Sequence, residues 1–409
     1  MPLTKDKKLV GGADLSRIAG LLNLSSTEEK LLEKDERQTT IDLRTKLDEK
    51  TVILADAYLV YHNTARGPAK GGIRLASNVT LDETRDLAER MTWKTALTRI
   101  PFGGGKSAIR VDPRTLSTFT KKLVIRRFVH EIRWELTSGS YIPAPDLGSG
   151  PPEMAAIYGE LHMPECVTGK PPRVGGLPGR EEATGYGVSV ATIYALEKLR
   201  NKDAKESTVA IQGFGNVGSW TCNFLSESGS RIVAVADADG GVFNSEGLNI
   251  KDLHKHVNEK GTVKGFSGKA ITNEELLALD VDVLIPAAVE NVINRETAPR
   301  VRAKIVVEGA NGPTTAEGDT ILRNGGSVVV PDILANSGGV IASYVEWRSG
   351  KSGSITPRQE VYNTLRETIE DAFHRVTETS DRLDLSYRDA AMVLAVDEVV
   401  KAMHDRGWV

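Results

Sequence analysis

Three lysines stand close together in the sequence, two of them beside glycines. Lys70 precedes two glycines, Lys106 follows three, and Lys94 lies between them on the inner half of a predicted helix. Glycine lets the backbone approach a ligand where a side chain would block it, and lysine rarely enters a core without a partner. The cluster therefore predicts a site for an anionic substrate, with solvated lysines beside loop glycines as the alternative.

A phosphate-binding P-loop is a second alternative, because that motif also ends in a glycine and a lysine. Gly105-Lys106-Ser107 matches only the end of the motif. Ile100 occupies the position of the first glycine, and the residues after Ser107 are typical of a strand where the motif requires a helix. These differences argue against a P-loop.

A carboxylate follows the lysine cluster at the end of a predicted strand. The run Tyr141-Ile-Pro-Ala-Pro-Asp146 is typical of a strand that ends on Asp146, and α/β proteins place their chemistry at strand ends. Such an acid could exchange protons with a bound substrate. In the alternative, Asp146 caps the helix that begins near Pro151.

The run Gly213-Phe-Gly215-Asn-Val-Gly218 has the spacing of a dinucleotide-binding loop. It follows a β-branched strand and opens a helix, as the G-x-G-x-x-G fingerprint requires; a tight turn without a ligand is the alternative. Asp237 ends the next strand, where a carboxylate can bind a ribose 2′-hydroxyl and repel a 2′-phosphate. Because Asp239 adds a second negative charge, we expect NAD, with NADP as the alternative. The expected cofactor contacts here are Gly213, Gly215, Asn216, Val217, Gly218 and Asp237.

Together these segments resemble the glutamate, leucine, phenylalanine and valine dehydrogenase family. The elements P-A-K-G-G-I-R, Met91-x-x-Lys94 and G-G-G-K occur in the family's order and spacing, and further matching motifs continue to about Trp347. The first segment is similar to the substrate-binding domain of the glutamate dehydrogenases within this family. The resemblance covers most of the chain.

The resemblance implies roles in the oxidative deamination of an amino acid. Lys94 is expected to hold the α-carboxylate, Lys106 to act as the catalytic amine, and Asp146 to exchange protons with the substrate nitrogen. The expected substrate contacts are Lys70, Gly71, Lys94, Ala144, Val340 and Ser343. Arg180 and Thr184 resemble groups near the nicotinamide. Asn311 and Asn336 resemble groups that face the cleft, with turn formation as the alternative.

Lys70 and Ser343 bear on the choice of substrate within the family. A dicarboxylate needs a partner for its distal charge, whereas leucine needs only apolar walls. By resemblance, Lys70 replaces the apolar residue of the branched-chain enzymes, and Ser343 matches a hydroxyl of the glutamate enzymes. We therefore expect reversible oxidative deamination of L-glutamate to 2-oxoglutarate and ammonia. The segment that begins at Asp146 also resembles branched-chain enzymes, so a branched-chain or aromatic amino acid dehydrogenase is an alternative. A non-catalytic dinucleotide-binding regulatory subunit is another.

The hydrophobic pattern predicts the elements that position these residues. The lysine segment is predicted as turn, helix and turn, with Thr80 and Glu83 forming a capping box at the start of the helix. Further helices are predicted near 14–33, 117–137, 182–200 and 357–404. Strands are predicted near 39–47, 51–60, 108–111, 141–146, 209–212, 232–236, 283–285, 305–307 and 328–330.

Strands that alternate with helices in the second half predict a doubly wound parallel sheet, so the expected fold class is α/β with two domains. We expect a substrate-binding and oligomerisation domain over 1–180, a Rossmann domain over 181–355, and a hinge in the Gly- and Pro-rich run 169–180. By resemblance, a C-terminal helix at about 386–409 completes the first domain, and the protein is a homohexamer.

The composition is that of an ordinary soluble protein. The 409 residues are 40% hydrophobic and 26% charged, with a net charge of −3, which gives no basic excess for nucleic acid or anionic membrane. The sequence begins without an apolar signal run and contains no 18-residue apolar stretch. We therefore expect a cytoplasmic protein that binds neither nucleic acid nor membrane. Cys166 and Cys222 lack metal-binding spacing, so no metal is expected.

Overall fold

The structure, a computed structural model, describes residues 13–409. The run Met1–Lys8, on which the signal-peptide expectation depends, lies outside these residues. The first part of the described chain contains one sheet and its covering helices. Its elements are α1 (Leu15–Leu22), α2 (Ser26–Glu33), β1 (Arg37–Lys46), β2 (Val52–Asn63), β3 (Ala69–Leu75), α3 (Leu81–Leu97), β4 (Gly103–Ile109), α4 (Thr118–Glu131), α5 (Arg133–Thr137), β5 (Tyr141–Pro145) and α6 (Pro151–Leu161).

The first sheet has the strand order β1-β2-β4-β3-β5. The predicted strands near 39–47 and 51–60 correspond to β1 and β2, which pair antiparallel as a hairpin. Strand β3 pairs parallel with both β4 and β5, so that Lys70 lies opposite Gly104 on one side and Ile142 on the other. This pairing brings Lys70, Lys106 and the end of β5 to one region of the sheet.

The glycine-rich stretches of the lysine segment are strands, and the prediction of turns there was wrong. Strand β4 begins at Gly103, five residues before the predicted strand, and Lys106 lies inside it. The glycines allow α3 to pack directly on β4: a Cβ added to Gly104 would overlap Thr92 Oγ1 and the Ala88 carbonyl. A lysine inside a strand also excludes the P-loop, whose lysine opens a helix.

Only half of the predicted capping box forms at the start of α3. Thr80 Oγ1 accepts a hydrogen bond from the Glu83 backbone N–H at 3.1 Å. The Glu83 carboxylate instead accepts a hydrogen bond from Arg74 Nη1 at 2.6 Å. The reciprocal contact is therefore replaced by an ion pair between the helix and strand β3.

Three of the predicted helices are each divided in two. The break at Asn23 separates α1 from α2, and the break at Ile132 separates α4 from α5. The predicted tail helix is α14 (Arg358–Leu383) and α15 (Tyr387–Asp405), separated at Asp384. Asn23 and Asp384 have φ values of 54° and 52°, and one left-handed residue ends a helix without disturbing the apolar spacing around it.

The second part of the chain forms a sheet with the order β12-β11-β10-β6-β7-β8-β9. The five strands from β12 to β7 are parallel, which confirms the doubly wound α/β fold. The antiparallel extension β8–β9 was not predicted, because its strands are only four and three residues long. The elements are α7 (Ala183–Arg200), β6 (Thr208–Gln212), α8 (Asn216–Glu227), β7 (Arg231–Asp237), β8 (Gly240–Phe243), α9 (Ile250–Lys260), β9 (Lys269–Ile271), α10 (Asn273–Leu277), β10 (Val283–Pro286), β11 (Ile305–Val307), α11 (Ala316–Asn324), β12 (Val328–Val330), α12 (Asp332–Ala335) and α13 (Gly338–Ser352).

The C-terminal helix α15 returns to pack against α1 and α3 of the first part. Its buried residues belong to the same hydrophobic core as Trp93 and Leu97 of α3. The helix that carries Lys94 is therefore supported from behind by the end of the chain. Within 13–409, none of the helices is both long and apolar enough to cross a membrane.

We predict that Gly104→Ala destabilises the protein and reduces its activity. The new methyl group would push α3 away from β4, and overpacking of this kind costs about 1 to 3 kcal/mol of unfolding free energy. Both Lys94 and Lys106 would shift with the two elements. The free energy of unfolding, measured with denaturant, and kcat/KM should both fall.

Gly20→Ala is the matched control for this substitution. Gly20 is exposed on α1, and nothing lies within 4 Å of a Cβ added there. Alanine at this helical position should leave activity unchanged and stability equal or slightly higher. Equal behaviour of the two variants would contradict the packing role of Gly104.

Candidate active site

A cavity of about 360 Å³ lies between the two sheets. Strands β3 and β4, helix α3 and the end of β5 line it on one side. The start of α7, the start of α8, the loops after β10 and β11, and α13 line it on the other. Thirteen of the residues predicted from the sequence line this cavity: Lys70, Gly71, Lys94, Lys106, Ala144, Asp146, Arg180, Thr184, Val217, Asn311, Asn336, Val340 and Ser343.

Lys106 and Asp146 form an ion pair inside the cavity. Lys106 Nζ donates to Asp146 Oδ2, while Arg74 Nε donates to Asp146 Oδ1 at 2.9 Å. Burial raises the pKa of Asp146, but the two cations outweigh this effect and lower the pKa to about 2. Burial lowers the pKa of Lys106, although Asp146 opposes that shift. Asp146 is not a helix cap, because Gly150 holds that position before α6.

Lys94 reaches across the cavity to two asparagines of the second sheet's domain. Its Nζ donates to Asn336 Oδ1 at 2.6 Å and to Asn311 Oδ1 at 3.1 Å. Burial lowers the pKa of Lys94 to about 8, with Asp332 opposing the shift and nearby cations adding to it. The side chains of Asn311 and Asn336 thus accept hydrogen bonds from a buried cation, so the two residues are more than turn formers.

Lys70 is the most enclosed of the three lysines, with 1% of its surface exposed. Its Nζ donates to the Pro143 carbonyl over a long 3.5 Å. Burial lowers the pKa of Lys70 well below its ordinary value, and Arg180 is the cation that adds most to the shift. Ser343, from α13, lines the same cavity and is also buried. This end of the cavity is therefore cationic and well shielded from water.

A buried ion pair that the sequence did not suggest lies behind Lys70. Lys170 Nζ donates to Glu346 Oε1 at 2.8 Å, and each side chain is only 1% exposed. Glu346 also accepts from the backbone N–H of Gly169 at 2.8 Å, so the pair fastens the run 169–180 to α13. Glu346 lies three residues after Ser343, and on a helix this spacing puts both on one face.

A second unpredicted ion pair joins the two sides of the cavity. Arg90 Nη1 donates to Asp332 Oδ2, and Arg90 lines the cavity. Arg90 precedes Lys94 by four residues on α3, a spacing that places both on one helix face. That spacing was the sequence signal that could have identified Arg90.

The rest of the predicted cofactor site lies outside this cavity, in the loop between β6 and α8, the first turn of α8 and the end of β7. Gly213 has φ of +104°, a conformation that favours glycine. A Cβ added to Gly215 would point into open space, and Gly215 precedes the N-terminus of α8. Exposed helix N–H groups beside an open glycine fit a dinucleotide pyrophosphate. Asn216 Nδ2 donates to the Glu181 carbonyl at 2.9 Å, and Gly218 packs against Gly213.

Asp237 ends β7 beside this loop, and its carboxylate is held by a neighbouring loop. Oδ2 accepts from Thr262 Oγ1 at 2.8 Å and from the Val263 N–H at 2.6 Å. Oδ1 accepts from the Asp239 N–H at 2.9 Å. Since a carboxylate has about four acceptor positions, Asp237 keeps capacity for a ribose hydroxyl.

Comparison with known proteins gives consistent matches over nearly the whole chain. The model for "Glutamate/Leucine/Phenylalanine/Valine dehydrogenase" matches 175–407, and the model for the dimerisation domain of Glu/Leu/Phe/Val dehydrogenase matches 35–163. The chain is 44% identical to glutamate dehydrogenase of Thermotoga maritima over 400 residues, which is 96% of each protein. It is 42% identical to NADP-specific glutamate dehydrogenase of Saccharolobus shibatae, over 96% of this chain and 95% of that protein.

A solved structure matches equally broadly. The hetero-hexameric glutamate dehydrogenase of Thermus thermophilus, in its Leu-bound form, superposes with a TM-score of 0.90 at 33% identity. The match covers 96% of this chain and 95% of that one.

We predict that Asp237→Ser weakens NAD relative to NADP. The change removes an acceptor for the ribose 2′-hydroxyl and a charge that repels a 2′-phosphate. A hydrogen bond to a charged group is worth about 1.5 to 3 kcal/mol, so KM for NAD should rise about tenfold or more.

The control for Asp237→Ser is Thr262→Val, which removes a structural hydrogen bond from Asp237 but leaves its carboxylate in place. Steady-state assays with both cofactors should show an unchanged preference for this control. An unchanged preference in Asp237→Ser would assign the ribose to another residue.

Proposed function

Because the chain belongs to the glutamate, leucine, phenylalanine and valine dehydrogenase family, we propose that it is a glutamate dehydrogenase. It oxidatively deaminates L-glutamate to 2-oxoglutarate and ammonia, reversibly, with hydride transfer to NAD or NADP. The observation that carries this assignment is the shielded, cationic part of the cavity formed by Lys70 and Arg180, with Ser343 lining the same cavity.

Charge complementarity selects a dicarboxylate over an apolar amino acid. A leucine or phenylalanine side chain beside the buried ammonium of Lys70 would leave that cation without a partner, which costs free energy. The distal carboxylate of glutamate supplies the partner. The branched-chain and aromatic alternatives are therefore not favoured, and an intact Lys106–Asp146 pair argues against a non-catalytic regulatory subunit.

The proposed chemistry divides between two lysines and one carboxylate. Lys94 exchanges its contacts with the two asparagines for the α-carboxylate of the substrate. Asp146 accepts a proton from the substrate ammonium, and the neutral amine then becomes a protonated imine as hydride leaves Cα. A bound nicotinamide supplies the acceptor for that hydride. Lys106, as a free amine, takes a proton from the water that adds to the imine carbon, and the carbinolamine loses ammonia.

The coupling between Lys106 and Asp146 suits this sequence of steps. Protonated Lys106 and Arg74 are the two cations that keep the pKa of Asp146 low. When Lys106 is deprotonated, Asp146 loses that neighbour and becomes a stronger base, because the two groups titrate as a coupled pair. A lowered pKa also brings Lys106 closer to the pH range in which a catalytic amine is effective.

The cofactor and the assembly complete the proposal. The glycine loop would hold the pyrophosphate of the dinucleotide, Arg180 and Thr184 would contact its nicotinamide end, and Asp237 favours NAD, with NADP as the alternative. The substrate-binding domain comprises 1–180 together with the helix at 386–409, and the Rossmann domain comprises 181–355. The protein is a cytoplasmic homohexamer.

We predict that Lys106→Ala lowers kcat by about 10² to 10⁴, the usual range for loss of a general acid or base. Dinucleotide binding, measured by fluorescence titration with the reduced cofactor, should be retained because Lys106 acts on the substrate. Lys260→Ala, at the exposed end of α9, is the control and should behave as wild type. More than a tenth of wild-type kcat in Lys106→Ala would refute its catalytic role.

We predict that Lys70→Leu changes the substrate. Removing one partner of a shielded charge pair costs about 2 to 5 kcal/mol, or roughly 30-fold to several thousand-fold in kcat/KM for glutamate. Norvaline, leucine or methionine should gain activity, and Ser343→Ala should lose less, since it removes a single hydrogen bond. Glutamate activity within a factor of three, without gain on norvaline, would remove the main support for this substrate.

A further inference from the structure

Arg74 is the last polar residue of the P-A-K-G-G-I-R motif, and the proposed chemistry gives it no role. It lies on β3 next to the end of β5, outside the residues that line the cavity. Its Nε donates to Asp146 Oδ1 at 2.9 Å, and its Nη1 donates to Glu83 Oε1 at 2.6 Å. The guanidinium thus joins the proposed catalytic carboxylate to the first turn of α3.

The two oxygens of Asp146 have different partners, and this division fixes the carboxylate. Oδ1 accepts from Arg74 and from the Leu147 backbone N–H at 2.7 Å, both on the side away from the cavity. Oδ2 accepts from Lys106 inside the cavity. Without Arg74, only the Leu147 N–H still holds Oδ1, so the plane of the carboxylate can tilt and Oδ2 is held less firmly toward Lys106. An acid–base group that must meet one nitrogen loses rate when its orientation is not fixed.

The backbone around Asp146 is also held to β3. The Asp146 N–H donates to Ser149 Oγ at 3.1 Å, and Ser149 Oγ donates to the Ile73 carbonyl at 2.7 Å. The Leu75 N–H donates to the Leu147 carbonyl at 2.8 Å. Loss of the Arg74 side chain therefore leaves the loop anchored and mainly frees the carboxylate.

We propose that Arg74 is a positioning residue, which acts through Asp146 by turning Oδ2 toward Lys106 and the substrate nitrogen. The inference rests on the proposed catalytic role of Asp146. Arg74 does not contact the substrate, so its loss should appear in kcat and hardly in KM for glutamate.

Arg74 is also a permanent positive charge beside Lys106. Its removal should raise the pKa of Lys106, because a neighbouring cation disfavours the protonated amine. The acid limb of the kcat/KM profile, which reports this deprotonation, should then shift to higher pH. Four other charged groups interact electrostatically with Lys106. They are Asp146 from the end of β5, Glu83 and Lys94 from α3, and Lys70 from β3.

The test compares Arg74→Gln and Arg74→Lys with wild type. In Arg74→Gln we expect kcat to fall about 10- to 100-fold, KM for glutamate to change by less than about threefold, and the acid limb to move to higher pH. Arg74→Lys keeps the charge with fewer donors, so it should recover part of kcat and keep the acid limb in place. If Arg74→Gln does not fold, Arg74→Lys still tests the inference, since wild-type kcat combined with a shifted limb would overturn it.

Two further variants separate this inference from the proposed function. Asp146→Asn should lose most activity, and adding Arg74→Gln to it should reduce kcat no further, because both changes remove one function. An additive loss in the double variant, or wild-type kinetics in Arg74→Gln alone, would overturn the positioning role. Near-normal activity of Asp146→Asn would instead refute the proposed role of Asp146 itself.

The matched control is Arg114→Gln. Like Arg74, Arg114 donates from Nε to an aspartate, here Asp112, but its side chain is 84% exposed and lies outside the cavity. We expect wild-type kcat, KM and pH profile for this control. A similar loss in Arg114→Gln would attribute the effect to the removal of any arginine and overturn the inference.

Discussion

The burial of three lysine ammonium groups in one cleft is the constraint to which the rest of the structure responds. Removing an ammonium from water disfavours its charged form, and the pKa of each lysine is accordingly lowered. Lys106 is offset by Asp146, but Lys70 faces a carbonyl oxygen at 3.5 Å. The protein thus supplies no carboxylate that favours the ammonium form of Lys70 by direct contact. A carboxylate of a bound substrate would supply that partner and stabilise the charge.

Rigid neighbours keep these charges in place. Lys70 and Lys106 lie on adjacent strands of one sheet, and Lys94 lies on the helix that packs on the glycines of β4. A lysine on a loop could turn toward water, whereas a lysine inside a strand has its backbone fixed by hydrogen bonds on both sides. The glycines that suggested flexible turns in the sequence serve the opposite purpose, because they allow the close packing that holds the lysines beneath the helix.

The sequence predicted the family, the α/β fold and most of the strands, and these predictions are confirmed. It failed where an outcome depends on one torsion angle or on packing. The apolar spacing continues through Asn23 and Asp384, whose left-handed backbone divides the helices. The ion pairs Lys170–Glu346 and Arg74–Asp146 could not be predicted, because their partners are 176 and 72 residues apart. The roles assigned to the site residues remain predictions.

The partners of Arg90 and Lys94 show how one helix face can serve two purposes. Both cations cross from α3 to the second domain, but Arg90 meets the carboxylate of Asp332 whereas Lys94 meets two neutral amides. A carboxylate neutralises a buried cation and competes with any anion that approaches it, while an amide satisfies its hydrogen bonds and leaves its charge in place. Arg90 is therefore committed to holding the two domains together. The two amides hold Lys94 in place without neutralising it, as its proposed role of binding the α-carboxylate requires. Under that proposal, the chemical type of the partner separates a structural cation from a binding one.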